Sequence, residues 1–142
     1  MAHFDQPTLI TIPAKPEYVS VVRLVVAAFA DLLDYNGDAV EDIKLAVSEA
    51  CTNAILQLHK QAPPEKHVLT MSAYTQEERM LIDIIYFVGE EADAELASRQ
   101  LQERDLGMSI LVSMMDKVEI ARANSDGVVI RLTKNIPAQH LE

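Results

Sequence analysis

Apolar residues recur at three- and four-residue steps through one long stretch of the chain, Asp38–Lys60. This spacing places them on one face of an amphipathic helix. The stripe consists of Val40, Ile43, Val47, Ala50, Cys51, Ala54 and Leu58. Asp38, followed three residues later by Glu41, has the spacing of a capping box. The pattern therefore predicts a long central helix that begins at Asp38.

Shorter patterns flank the central helix. Thr8–Ile12 alternates as a strand does, and a helical pattern follows from about Pro16 to Leu33. Proline suits the first turn of a helix, where its missing N–H would have no partner anyway. The predicted core face of this first helix is Val19, Val22, Val26, Phe29 and Leu33. Arg23 interrupts its mostly apolar run, and a surface arginine with a packed stem would explain it equally well.

The second half of the chain reads as two hairpins with helical segments between them. The predicted segments are strands His67–Thr75 and Met80–Val88, a helical turn near Ala92–Gln102, a helix Leu106–Met115, and strands Lys117–Ala123 and Gly127–Lys134. This order collects strands in one layer and helices in another. We therefore expect an α+β fold, a two-layer sandwich in which a mixed β-sheet carries helices on one face.

Composition narrows the class of protein. A chain of 142 residues is expected to form a single domain over residues 1–142, with a core at about 8–134. The net charge of −10 disfavours nucleic acid and anionic membranes as partners, and favours basic protein surfaces. No apolar run is long enough to span a membrane, and no leader is evident. The lone Cys51 on the apolar stripe suits a reducing compartment, so we expect a cytoplasmic protein.

Two polar residues of the central helix could do chemistry together. Glu49 and Asn53 are four residues apart, which places their side chains one turn apart on one face. A carboxylate can act as a general base, and an amide oxygen suits Mg²⁺ beside phosphates. A solvated polar face shared with Ser48, Thr52 and Gln57 explains the same spacing, and from the spacing alone it is the commoner outcome. The histidines have no transition-metal spacing with Cys51.

A resemblance to a known family covers roughly residues 8 to 134. The run EDIKLAVSEACTNA, at Glu41–Ala54, resembles the N-box of the GHKL ATPase superfamily, and most of all that of the anti-sigma factor and serine-protein kinase family typified by RsbW and SpoIIAB. Upstream, IPAKPEYV from Ile12 and the run Val22–Leu24 resemble that family's first strand and helix. Downstream, DLGMSILVSMMDKV from Asp105 resembles its second glycine box and the helix that follows.

The resemblance implies a Bergerat-type fold and a set of roles. It implies ATP and Mg²⁺ as cofactors, with Glu49 as the catalytic base and Asn53 as the metal ligand. Gly89, Gly107 and Met108, together with Asn53, would lie against the nucleotide. The arginine at the position of Arg23 would contact protein partners.

Two departures from the family pattern weaken the expected nucleotide site. The residue two before Gly89, where the family has the aspartate that receives the adenine amino group, is Phe87. In the second glycine box, Arg104 and Asp105 replace glycines that would let the backbone approach phosphate. The segment that begins at Glu90 adds further negative charge. We therefore expect ATP affinity to be weak or lost.

The resemblance implies two functions of different class, between which these residues weigh. The first is an anti-sigma-like regulator, a homodimer that binds a sigma factor or a STAS-domain anti-anti-sigma partner with weak or lost ATP binding. The second is an active ATP-dependent kinase that phosphorylates a serine of the STAS-domain antagonist. Glu49 and Asn53 favour the kinase, whereas Phe87, Arg104 and Asp105 favour the binding protein. A two-component sensor kinase is disfavoured because no phosphoacceptor-histidine helix pair is present.

Overall fold

Each helix and strand that the sequence predicts is present in the computed structural model, which describes residues 6–89, 94–103, 107–124 and 126–138. The strands are β1 (Thr8–Pro13), β2 (Val68–Gln76), β3 (Arg79–Phe87), β4 (Lys117–Ala123) and β5 (Gly127–Asn135), and the helices are α1 (Val19–Leu32), α2 (Gly37–Gln61), α3 (Ala94–Glu103) and α4 (Gly107–Met114). Short 3₁₀ turns lie at Pro16–Tyr18 and Pro64–Lys66. Among the described helices, none has the length and apolar character needed to cross a membrane.

The strands form one five-stranded sheet in the order β1-β2-β3-β5-β4. The α+β sandwich is thereby confirmed, although each of the four pairings among the described strands is antiparallel. Two consecutive helices joined by a short loop return the chain to the end of the sheet that it left. The next strand, β2, therefore runs antiparallel to β1. The hairpins β2–β3 and β4–β5 are antiparallel because a short turn joins their strands.

The core lies between α2 and the helix-facing side of the sheet. From the sheet, its fully buried members include Leu69, Met71, Met80, Ile82, Ile84, Ile130 and Leu132. From α2, the predicted stripe is buried at every position except Val40, which is partly exposed. Burying each large aliphatic side chain contributes roughly 1.5–3 kcal/mol. Burial also raises the pKa of Cys51 to about 12, which leaves it a protonated core thiol.

The outer side of the sheet carries a partly buried ion pair between β3 and the adjacent strand β5. Asp83 on β3 accepts two hydrogen bonds from Arg131 on β5, at 2.8 Å from Nε and 2.9 Å from Nη2. The Asp83 side chain is 8% exposed, and its two hydrogen bonds to Arg131 offset the free-energy cost of removing its charge from water. The same interaction raises the pKa of Arg131. This bidentate pair fixes the register of β3 against β5.

The start of α2 differs from the predicted capping box. The N-cap is Asn36, whose Oδ1 accepts a hydrogen bond from the Ala39 N–H at 2.8 Å. Glu41, which would have completed a capping box with Asp38, instead forms an ion pair with Lys44 at 3.1 Å. Asp38 lies within the first turn, where its charge favours the positive end of the helix dipole. The spacing fitted both arrangements, and the extended backbone at Asn36 decided between them.

We expect Asn36→Ala to lower the free energy of unfolding by about 1 kcal/mol, because it removes the side-chain cap of the longest helix. Asp38→Ala is the matched control and should cost only about 0.3–1 kcal/mol through the helix dipole. Urea denaturation followed by circular dichroism measures both. A larger loss for Asp38→Ala than for Asn36→Ala would restore the capping box.

Candidate functional site

A row of polar side chains runs along α2 at four-residue intervals, and we call Glu49, Asn53, Gln57 and Gln61 the α2 polar row. The middle of the row lies in the interior of the protein, and Gln61 at its end is exposed. Glu49 is half-buried, Asn53 is 1% exposed and Gln57 is fully buried. Glu49 and Asn53 therefore share a face as the sequence predicted. Burial of neutral amides at two successive turns distinguishes this face from an ordinary solvated one.

Asn53 is the member of the row with an unmet hydrogen bond. Among the buried side-chain nitrogen and oxygen atoms of the described residues, its Nδ2 has no partner. Leaving such a donor unpaired in a protein interior costs about 1–3 kcal/mol. Native structures retain few such groups, and those that remain are frequent at functional sites. An oxygen of a bound ligand would satisfy Nδ2, while Oδ1 of the same side chain suits Mg²⁺.

The hydroxyls beside the row are accounted for without a ligand. Ser48 Oγ donates to the carbonyl of Lys44, and Thr52 Oγ1 donates to the carbonyl of Ser48, both at 2.8 Å. Such bonds to the preceding turn are the ordinary arrangement for a hydroxyl in a helix. The solvated-face interpretation thus suits Ser48 and Thr52, but not Asn53 or Gln57.

The end of β3 faces the row through Tyr86. Its ring is fully buried, and its hydroxyl donates a hydrogen bond to Oε1 of Gln57. Gln57 in turn donates through Nε2 to Oε1 of Gln61 at 3.2 Å. Burial raises the pKa of Tyr86, so the side chain remains a neutral phenol. Phe87 lies on the opposite side of the sheet and is 38% exposed.

The predicted glycine positions lie at the ends of elements. Gly89 has φ +119°, a conformation that glycine adopts readily, and its N–H donates to the carbonyl of Asp126 at 3.2 Å. Gly107 is buried at the first position of α4. Arg104, Asp105 and the acidic segment Glu90–Asp93 fall outside the described residues. The predictions that concern them remain predictions.

Met108 and Arg23 lie in two different grooves. Met108 is half-buried on α4, and with Val112 it lines a groove of about 210 Å³ that also includes Val118 and Ile120 of β4. Arg23 is exposed on α1 and lines a groove of about 310 Å³ between α1 and α2. The other residues of that second groove are Glu41, Asp42, Lys44, Leu45 and Ser48.

The residues present fit ATP and Mg²⁺ at one end of the expected site and not at the other. Glu49 and Asn53 offer the carboxylate and amide that the metal end requires, and the unpaired Nδ2 offers a donor to a ligand oxygen. At the base end, the side chain that faces α2 is a tyrosine already bonded within the protein. Within the described ranges, no group of three or more His, Cys, Asp or Glu side chains is placed to hold a metal by itself.

Sequence reasoning missed the roles of Tyr86 and Gln57. The alternation of Met80, Ile82 and Ile84 extends to Tyr86 on the same face of the strand, and this was the available signal. Gln57 lies one turn further along α2 than Asn53. The only sequence signal for the burial of its side chain was its position beside the apolar stripe of the helix.

We expect Asn53→Ala to leave the free energy of unfolding nearly unchanged, because it removes a buried donor that has no partner. Gln57→Ala is the matched control at the next turn, and it should lose about 1–2 kcal/mol because its amide is bonded at both ends. Chemical denaturation of both variants measures the difference. An Asn53→Ala loss as large as that of Gln57→Ala would mean that the Asn53 amide is satisfied in the folded protein.

Known proteins are similar to this chain in sequence and in fold. Residues 12–134 match the histidine kinase-like ATPase domain family. Serine-protein kinase RsbW of Halalkalibacterium halodurans is 35% identical over 93% of this chain and 85% of its own, and RsbW of Bacillus subtilis is 29% identical over 92% and 86%.

Two solved structures have the same fold at low identity. The SiaB–SiaC complex from Pseudomonas aeruginosa includes a chain with a TM-score of 0.69 at 10% identity, covering 89% of this chain and 88% of that one. The RsbU and RsbW domains of Rv1364c from Mycobacterium tuberculosis give a TM-score of 0.66 at 17% identity, over 92% of this chain but only 32% of that one. Because the sequence match spans nearly all of the chain, this protein belongs to the histidine kinase-like ATPase domain family, within which it is a relative of the RsbW serine-protein kinases.

Proposed function

We propose that this protein is an anti-sigma-type regulator of the cytoplasm that works by binding other proteins. Its partners would be a sigma factor, a STAS-domain anti-anti-sigma protein, or both in turn, and it would act as a homodimer. ATP would bind weakly or not at all. The proposal extends to this chain what the resemblance to RsbW implies, and it differs from that pattern at the nucleotide.

The observation that carries the proposal is the outward side of α1. Along α1, the large apolar side chains Val21, Leu24 and Leu32 are 40%, 72% and 55% exposed. Leu45 of α2 is 44% exposed and lies in the same groove as Arg23. Exposed large apolar side chains on a helix that borders a groove with an arginine are typical of a protein-binding surface. We call Val21, Arg23, Leu24, Leu32 and Leu45 the α1 surface.

Charge supports the same class of partner. The chain carries 22 acidic and 12 basic residues, so a basic protein surface is attracted to it over a distance. Glu41 and Asp42 line the groove beside Arg23 and would meet basic residues of such a partner. Arg23 would then meet an acidic group, which fixes the orientation of the two proteins.

Relatives support a role in a protein complex. The relatives at 35% identity and below carry the name serine-protein kinase, and a protein kinase must recognise a protein substrate. A structural neighbour was solved as a complex, that of SiaB with SiaC. Partner recognition is the part of this behaviour that needs no nucleotide.

We expect the purified full chain to bind a STAS-domain protein or a sigma factor from its own genome without added nucleotide, because the α1 surface does not depend on ATP. Isothermal titration calorimetry measures the affinity. Arg23→Ala should weaken binding by about tenfold or more. Lys60→Ala, at the exposed end of α2, is the matched control and should change little. Binding that needs ATP, or that ignores Arg23, would count against the proposal.

The second candidate function is an active serine-protein kinase. It is favoured by one observation, the pairing of a half-buried Glu49 with the unpaired buried amide of Asn53 one turn away. In such an enzyme Glu49 would serve as the base for the serine hydroxyl, and Asn53 would hold Mg²⁺.

If the kinase is active, incubation with radiolabelled ATP, Mg²⁺ and the STAS-domain protein should label a serine of that protein. Glu49→Gln should then reduce labelling by about a hundredfold or more, since a general base contributes on that order. Glu95→Gln, an exposed glutamate at the start of α3, is the control. We expect no labelling above background, and clear labelling that Glu49→Gln abolishes would establish the kinase instead.

A further inference from the structure

A ligand that touches both α2 and the end of β3 must lie on the helix-facing side of the sheet. In the family that this sequence resembles, a carboxylate after the second hairpin strand receives the adenine amino group while the N-box holds the metal. Both contacts are made to one molecule. The carboxylate must therefore point toward α2, and in this chain the residue that does so identifies the base end of the site.

The register of β3 shows which residue that is. Tyr86 pairs with Val128, and Ile84 pairs with Ile130, and both partners on β5 are fully buried in the core. Side chains alternate across a strand, so Phe87 faces the other side. There its ring lies over Gly127, its partner in the register, where an added Cβ would lie 2.8 Å from two ring carbons. Tyr86 is thus the last β3 side chain that faces α2.

Tyr86 is held in place by the row that would serve the ligand. Its hydroxyl donates to Gln57, which is one turn along α2 from Asn53. A phenol ring is much larger than a carboxylate, and this one is fully buried. Both Tyr86 and Gln57 have their hydrogen bonds satisfied by the protein, whereas Nδ2 of Asn53 does not. At the base end, the side chains of the row are therefore already hydrogen-bonded within the protein, whereas at the metal end a buried donor is left for a ligand.

We propose that Tyr86, anchored by Gln57, occupies the base end of this site, and that Tyr86 rather than Phe87 excludes the adenine base. The inference rests on the proposed function, in which ATP binding is weak or lost, and it names the side chain responsible. The metal end keeps Glu49 and Asn53. The site therefore discriminates poorly between ATP and a bare magnesium polyphosphate, because no group remains to read the base.

The first test uses the native protein. Calorimetric titrations carried to millimolar ligand should show Mg·ATP and Mg·tripolyphosphate binding with equal affinity. Mg·ATP binding more than about tenfold tighter than Mg·tripolyphosphate would overturn the inference, since the base would then be recognised.

The second test restores a carboxylate at each of two positions. Tyr86→Asp, and the neutral Tyr86→Asn in case a buried charge prevents folding, should gain a preference for Mg·ATP over Mg·tripolyphosphate of about tenfold or more. Phe87→Asp is the matched control one residue away and should gain none. Circular dichroism and the shift of Tm with ligand confirm that each variant is folded and binds.

The outcomes separate this inference from the proposed function. A preference gained by Phe87→Asp and absent in folded Tyr86 variants would overturn the role of Tyr86, while weak ATP binding by the native protein would stand. If the Tyr86 variants do not fold, the comparison of the two ligands on the native protein decides. Partner binding that requires ATP would instead remove the proposed function.

Discussion

The packing of α2 on the helix-facing side of the sheet is the interaction on which the rest of the structure depends. The helix spans Gly37–Gln61, and its apolar stripe packs chiefly on the central strand β3, with β2 and β5 on either side. Because the stripe is buried almost completely, the rotation of α2 about its axis is fixed by the hydrophobic effect. That rotation decides where each polar residue of the helix is placed.

The fixed rotation of α2 buries polar side chains, which costs free energy unless they are hydrogen-bonded. The α2 polar row lies close enough to the stripe that Asn53 and Gln57 are buried with it. The amide of Gln57 is hydrogen-bonded to Tyr86 and Gln61, which offsets the cost of burying it. Nδ2 of Asn53 has no such partner. A packing scheme chosen only for stability would place an apolar residue at position 53. The unpaired amide of Asn53 thus lowers the stability of the fold, as groups kept for a functional site commonly do.

The two outer surfaces of the protein have different characters. On the helix side, α1 exposes the apolar residues Val21, Leu24 and Leu32, which suits the binding of a protein. On the sheet side, the central strands carry the bonded pair of Asp83 and Arg131, with each charge satisfied inside the same chain. The exposed apolar residues of α1 border the groove that holds Glu41 and Asp42 of α2. That groove and the α2 polar row therefore share one helix.

The sequence by itself determined the elements, their order and most of the core residues of α1 and α2, because hydrophobic periodicity reports burial directly. It also determined that Glu49 and Asn53 share a face, since the helix period is fixed, and that Cys51 belongs to the core. Local spacing was insufficient at Asp38, where two capping arrangements fit and the backbone at Asn36 selected one. The alternation along β3 already places Tyr86 on the core face and Phe87 on the other. Only the tertiary structure decided that the Tyr86 hydroxyl meets Gln57, because that contact joins β3 to a helix residue 29 positions earlier in the chain.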